Sequence, residues 1–434
     1  MPTPALPTLL DEEDAQSLSL LSQKFGRETA NYFSGSPLNR VSFLRGERDF
    51  LRAAFSHPSA RFLLLKNLAP LVQKDDSSQL AFVSLREVEA LTGNDPFEKS
   101  EEDMIREYDS SRRPGPVILF LGVDDRALLH PGMLSSKAAG LETQKEEEVF
   151  SWKDFRGAPY FAVDVSPRDG EDEAAEQVIR GVTTEGETGG QVFYESGRHM
   201  SLHAGQAAIY GQARALFDWN SRNPFCAQCG QPTLSVHAGT KRVCPPTDMA
   251  GGSVTDRKPC ATRGTVSNLS FPRTDPTVIM AIVSADGTKI LLGRQRRWPK
   301  YWYSTLAGFQ EPGESIEEAV RREVWEESGV RVGRVVLHSS QPWPFPASLM
   351  IGAVGQALPG DGEKIFLGHD PELEDAKWFA LEEVKNALVH GTSNLGEKAS
   401  EGYVEGGLRL PPQTAIANQL MRAVVEGWWV MSRI

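Results

Sequence analysis

The sequence predicts an α/β protein built on mixed sheets, and three kinds of observation predict it. Short apolar runs such as Val117–Leu121, Tyr160–Val165 and Val278–Val283 have strand length and strand composition. Between and after them lie segments with helical spacing, among them HAGQAAIYGQARALFDWNSR ahead of Cys226 and the stretch that begins at Ser315. With 434 residues, 40% of them hydrophobic and 24% charged, the chain is long enough for more than one core, and length alone predicts two or three domains.

Taken in order, residues 1–36 read as a flexible N-terminus, with Asp11, Glu12, Glu13 and Asp14 where a secretory leader would carry basic and then apolar residues. Residues 37–218 form a first domain that opens on NRVSFLR (39–45) and contains a polar insert at 166–192, expected to be loop or disordered. A small module follows at 219–265. It holds all four cysteines of the chain. Cys226-Ala-Gln-Cys229 sets two thiols on one tight turn, and Cys244 and Cys260 can close a tetrahedral S₄ site for structural zinc. The fifteen residues between the second pair, PPTDMAGGSVTDRKP, read as an excursion loop. Disulfides or a redox pair are the alternative, disfavoured without a secretion signal. His237 lies nearby, but four thiolates already complete a shell.

Residues 266–434 form the last domain, with a second polar insert at 392–408 and a helix predicted from about Gln413 through Trp428 and Trp429. The net charge of −12 and pI near 5.3 argue against sequence-blind nucleic-acid binding through a large basic surface. An anionic substrate must be drawn in locally, by metal ions or by Arg294, Arg296 and Arg297 in RQRRW. No stretch has the length to span a bilayer, so the expectation is an intracellular protein.

The last domain carries the chemistry. Residues 308–330 read GFQEPGESIEEAVRREVWEESGV. Ser315 with Glu318 forms a capping box, and Ile316, Ala319, Val320 and Val324 recur at helical spacing, so a helix should start near 315 and stop at Gly329. Glu323, Glu326 and Glu327 then share one face, expected to be exposed. Three carboxylates so placed repel one another unless hard divalent cations sit among them, which marks a Mg²⁺ or Mn²⁺ site. Arg322 can pair with Glu326 one turn on. A solvated acidic helix face is the alternative reading.

This stretch fills every position of G-x5-E-x7-R-E-U-x-E-E-x-G-U and so resembles the Nudix box. Two more segments narrow the resemblance. Ser339-Ser340-Gln341-Pro342-Trp343-Pro344-Phe345-Pro346-Ala347-Ser348 contains a strip that looks like the SQPWPFPxS array of Nudix NADH pyrophosphatases, and Phe271-Pro272-Arg273 followed by an apolar run matches that family's passage from zinc ribbon to catalytic domain. The resemblance covers about 220–434 firmly and the first half loosely. It implies an α/β/α sandwich, preceded by a degenerate Nudix-like domain and the zinc ribbon, and hydrolysis of the NAD(H) diphosphate to NMN(H) and AMP. It also implies divalent metal on Glu323, Glu327 and Glu372, with Glu326 a ligand or a base, Arg322 orienting the carboxylates, and the Ala417 carbonyl as a backbone ligand. Phe309 corresponds to an aromatic stacking on adenine, Phe271 to one supplied by a partner subunit, and Gln341, Trp343 and Phe345 belong to the substrate-binding array. A homodimer is implied too, as is action on NAD-capped RNA. Alternatives are a Nudix enzyme for ADP-ribose or dinucleoside polyphosphates, and a catalytically silent zinc-ribbon binding module. The tail Ser432-Arg433-Ile434 resembles a peroxisomal address read by an import receptor, which places the protein in the peroxisome, with the cytoplasm as alternative.

Overall fold

The computed structural model describes residues 29–112, 114–125, 149–167, 172–184, 190–195, 201–263, 271–312 and 314–427. It divides into two compact units: one spans Ser36–Arg273 with Pro344–Ala347, the other takes the N-terminal residues up to Gly35, Thr274–Trp343 and Ser348 onward. No described helix is long and apolar enough to cross a membrane.

The first unit is built on a sheet of seven described strands: β1 (Arg61–Lys66), β2 (Ala69–Val72), β3 (Phe82–Val83), β4 (Ile118–Asp124), β5 (Phe150–Trp152), β6 (Phe155–Asp164) and β7 (Val192–Phe193). The order is β4-β6-β1-β2-β7, with β3 pairing β1 and β5 pairing β6. β1 runs parallel to β6, with Phe62 beside Phe161 and Leu64 beside Val163. The unbroken run Phe62–Leu65 is buried because this strand is covered on both faces. Helix α1 (Arg48–Ser56) turns Phe50, Leu51, Ala54 and Phe55 into that core, where Phe55 meets Phe62 and Phe161 edge-on at 5.1 and 5.3 Å. Helix α2 (Leu85–Thr92) follows β3, and α3 (Glu101–Arg106) follows it. The insert expected to be loop contains a helix instead, α4 (Glu173–Thr183): Asp172 caps Ala175, and Ala175, Val178 and Val182 lie one turn apart on a buried stripe that the polar composition hid. The helical pattern before Cys226 is α5 (Ala204–Arg222).

The cysteine module closes this unit with two antiparallel hairpins, β8 (Leu234–Val236) with β9 (Lys241–Val243) and β10 (Thr247–Asp248) with β11 (Thr255–Asp256). The second hairpin lies in the presumed excursion loop. Asp248 organises it, accepting from Ser110 N and Ala250 N and pairing with Arg257 at 2.5 Å.

The second unit carries β12 (Asp275–Val283), β13 (Lys289–Gln295), β14 (Leu306–Phe309), β15 (Val332–Trp343), β16 (Ser348–Ala357) and β17 (Leu373–Ala380) in the order β15-β16-β12-β13-β17, with β14 pairing β12. Alternation along β12 splits the core. Val278, Met280 and Ile282 meet α6 (Ile316–Ser328), while Ile279, Ala281 and Val283 meet α7 (Leu381–His390) and α8 (Ile416–Val425). The result is the α/β/α sandwich. Residues 392–408 are loop, as expected. Residues 31–33, assigned above to a flexible lead, are buried in this unit, because Tyr32 and Phe33 are large apolar side chains with a strand to pack against. Trp428, Trp429 and Ser432-Arg433-Ile434 lie outside the described residues.

Candidate active site and metal centres

The box helix forms as its sequence dictates. Ser315 Oγ accepts from Glu318 N, Ser315 N donates to Glu318 Oε2 at 2.7 Å, and Gly329, at φ 73°, ends the helix. Ala319, Val320 and Val324 anchor it. Arg322 is the hub of its polar side: it donates to both oxygens of Glu314 (2.6 and 2.9 Å), to Glu323 (2.8 Å), to Glu326 (3.0 Å) and to the Phe309 carbonyl (2.8 Å). This ties the loop, the end of β14 and two carboxylates into one geometry. The Arg322 guanidinium holds Glu314 below its ordinary value. Gly308 is required by contact, since a Cβ there would lie 2.0 Å from the Glu323 carboxyl carbon.

Burial corrects one expectation. Glu327 does not lie on an exposed face: only 5% of it is accessible. Burial, then the negative fields of Glu323, Glu372, Asp370 and Glu326, push its carboxyl up to about 9. Glu323 is raised as well, by burial first, against the pull of Arg322. Glu372, exposed just before β17, contributes to both shifts, so the structure brings it to the same centre. Asp370 joins it, its N donating to the Glu326 carbonyl at 3.1 Å. The sequence reading missed Asp370; its place two residues before Glu372 was the available signal. A cluster of carboxylates in which burial and mutual repulsion raise Glu327 and Glu323 fits a hard divalent cation.

The residues expected to bind substrate separate into two groups. Phe309 stands 60% exposed at the end of β14, and Phe271, in the other unit, is 39% exposed. Trp343 and Phe345 flank the tip of the β15–β16 hairpin, where Trp343 meets the Phe33 ring edge-on and Arg214 of α5 lies 4.5 Å over the Phe345 ring while donating to the Pro344 carbonyl. Gln341 is a correction. Fully buried, it donates to the Tyr32 and Thr414 carbonyls (3.0 and 2.9 Å) and accepts from Ile416 N (2.9 Å), so its amide caps α8 and pins the N-terminal segment. Ala417 lies in the first turn of α8, buried on the sheet face away from α6; its role as backbone ligand rests on the resemblance alone. Arg294 pairs with Glu374 at 2.7 Å, and Arg296 and Arg297 are exposed.

The Sγ atoms of Cys226, Cys229, Cys244 and Cys260 all lie within 4.8 Å of one another. Cys226–Cys260 is 3.6 Å and Cys229–Cys244 3.5 Å, far beyond a disulfide and close to the roughly 3.8 Å edge that Zn–S bonds of about 2.3 Å give a tetrahedron. His237 is turned to Glu101 at 2.7 Å instead.

Three family models match this chain: a NADH pyrophosphatase-like rudimentary NUDIX domain at residues 59–219, a NADH pyrophosphatase zinc ribbon domain at 221–249 and a NUDIX domain at 273–396. Among curated relatives, the NAD-capped RNA hydrolase of Schizosaccharomyces pombe is 35% identical over 412 residues, covering 93% of this chain and 95% of that protein. Human NAD-capped RNA hydrolase NUDT12 is 35% identical, covering 91% and 73%. Human mitochondrial NAD(P)H pyrophosphatase NUDT13 is 37% identical over 229 residues, covering 52% and 57%. With its order of rudimentary domain, ribbon and complete box, the chain belongs to the Nudix hydrolases, in the branch of NADH pyrophosphatases and NAD-capped RNA hydrolases.

Proposed function

We propose that this chain hydrolyses the diphosphate of NADH and NAD⁺ to NMNH or NMN and AMP, and removes the NAD cap from RNA by cleaving the same bond. The observation that carries the reading is the cluster of Glu323, Glu326, Glu327, Asp370 and Glu372 organised by Arg322, next to an exposed Phe309. Glu323, Glu327 and Glu372 would hold Mg²⁺ or Mn²⁺, which when bound neutralises diphosphate charge and makes water acidic. Glu326, more open than Glu323 and Glu327, takes the proton as water oxygen bonds to phosphorus and the bridging P–O bond breaks. Arg322 fixes the carboxylates, and Phe309 offers a face to a base. Cys226, Cys229, Cys244 and Cys260 would hold structural Zn²⁺. A homodimer and a peroxisomal location belong to the same proposal; fluorescent fusions at each end, compared in cells with marked peroxisomes, test the second.

The deciding experiment offers NADH, NAD⁺, ADP-ribose and NAD-capped RNA with Mg²⁺ or Mn²⁺ and identifies products by chromatography. NMNH and AMP from NADH are expected. ADP-ribose cut at least as well as NADH, without NMNH, would leave a Nudix enzyme of another substrate. No cleavage at all would leave a binding module.

A further inference from the structure

The connection between β16 and β17 brings Asp370 and Glu372 to the carboxylates of α6, and it does so against electrostatic repulsion. After burial, the charges that raise Glu327 are those of Glu323, Glu372, Asp370 and Glu326, so in the absence of a cation the helix and this segment push each other apart. Two hydrogen bonds oppose that push. Phe366 N donates to the Ser328 carbonyl at 2.8 Å and Asp370 N to the Glu326 carbonyl at 3.1 Å, both of them last-turn carbonyls for which the helix itself has no donor. Gly329 permits the approach, because a Cβ there would lie 2.8 Å from the Phe366 Cβ and 2.9 Å from its N.

A set of aromatic rings closes the same seam. Trp325 stacks on His369 with ring centroids 4.2 Å apart and planes at 28°, and Phe366 meets the His369 ring edge-on at 4.8 Å. Trp325 is 43% exposed and Phe366 55%, so neither ring is placed to fill the core. Their positions in the chain give the stack its use. Trp325 immediately precedes Glu326 and Glu327, and His369 immediately precedes Asp370, with Glu372 two residues further on. Stacking the two rings therefore fixes one set of carboxylates against the other, within a single unit of the fold.

We propose that Trp325, His369 and Phe366 form a clasp that preorganises the metal centre, with Trp325 as a positioning residue that acts on the cation through His369. The clasp holds Asp370 and Glu372 beside Glu323 and Glu327 before a cation arrives, so the cation does not have to order the segment at the expense of its own binding. This inference rests on the reading that Glu323, Glu327 and Glu372 hold Mg²⁺ or Mn²⁺, and it names what sets their affinity.

The test measures Mn²⁺ binding to the full chain by electron paramagnetic resonance, without substrate. Trp325→Ala should weaken binding by about tenfold to a hundredfold, the range over which the outer partners of metal ligands act. Trp325→Phe keeps a ring over His369 and should restore affinity to within about threefold of wild type. His369→Ala should match Trp325→Ala, and the double variant should be no weaker than either, because all three lose the same stack. The Mn²⁺ concentration for half-maximal NADH cleavage should rise in step, with kcat at saturating Mn²⁺ close to wild type. Since the stack lies at the surface, Tm without added metal should fall by only about 2–4 °C. A tryptophan that merely packs would give the reverse, a lower Tm at unchanged Mn²⁺ affinity, and that result in folded Trp325→Ala would overturn the proposal. Losses that add in the double variant would overturn it too. His369→Ala, at an exposed position, keeps the test alive should Trp325→Ala misfold. Wild-type protein that binds no Mn²⁺ would sink the metal reading and this inference with it, whereas clasp-dependent Mn²⁺ binding by a protein that leaves NADH intact would sink the activity alone.

Discussion

The two large sheets of this molecule share one topology and differ in one helix. In the first, β1 pairs antiparallel with β2 and β3 and parallel with β6; in the second, β12 does the same with β13, β14 and β16. The flanks match too, β4 on β6 as β15 on β16, and β7 on β2 as β17 on β13. Each third strand leads into a helix with a capping box, Ser84 with Glu87 and Ser315 with Glu318. There the likeness ends. In the second unit five residues separate Phe309 from the cap and bring Glu314 to Arg322; in the first, Val83 adjoins Ser84 directly. Aligned on their caps, Thr92 stands where Glu323 does, and Gly93 then ends the helix before any counterpart of Glu327. Losing a loop and a last helical turn removes the chemistry, while the sheet, which supplies the core, is retained.

The largest expected effect breaks the comparison at that turn. Glu327→Gln should lower kcat by about 10³-fold or more, because it removes a carboxylate proposed above to hold the metal, whereas Glu89→Gln on the exposed side of α2 should leave kcat unchanged. Stability should move the other way. In chelator, folded Glu327 keeps its proton to about pH 9 while the unfolded chain releases it near 4.5, so between those values the folded state binds more protons and stability falls as pH rises. Glu327→Gln should abolish that slope, as thermal melts from pH 5 to 8 will read. An active variant with the slope intact would refute both roles.

Next in size, Cys244→Ser should lose the zinc proposed for the ribbon and destabilise the first unit by several kcal/mol, because structural zinc binding is folding free energy; elemental analysis and melting measure both. Gly308→Ala should lower kcat by about tenfold to a hundredfold, its methyl displacing the Glu323 carboxyl, with Tm barely changed. Gln341→Ala should cost about 2–4 kcal/mol, from three buried backbone groups left unpaired, with KM for NADH close to wild type. A large KM effect at unchanged stability would return Gln341 to the substrate.

What the sequence made legible was local. The cap at Ser315, the stop at Gly329, the apolar stripe between them and the Cys226–Cys229 turn each follow from neighbours in the chain. What stayed hidden depends on distant partners. That Glu327 is buried depends on how α6 packs, and that Gln341 is structural depends on Tyr32 and Ile416, hundreds and tens of positions away. The shared topology came from the resemblance alone, because strand pairing leaves few marks in side-chain identity.

Gln341 also sets a clock. Its bond to Tyr32 closes over 309 residues, so the start of the second unit is held by a strand made long after it. At roughly 5–20 residues per second, Tyr32 and Phe33 wait on the order of 15 to 60 seconds for the strand that covers them. Through that interval the first unit, lacking only Pro344–Ala347 once Arg273 is made, can fold while the sticky end ahead of it stays open. A fragment cut at the boundary of the Nudix domain would keep every carboxylate yet lack Asn31, Tyr32 and Phe33, exposing the edge that Ser339 and Trp343 present to them. Dissection would then yield an aggregating piece whose failure says nothing about its chemistry.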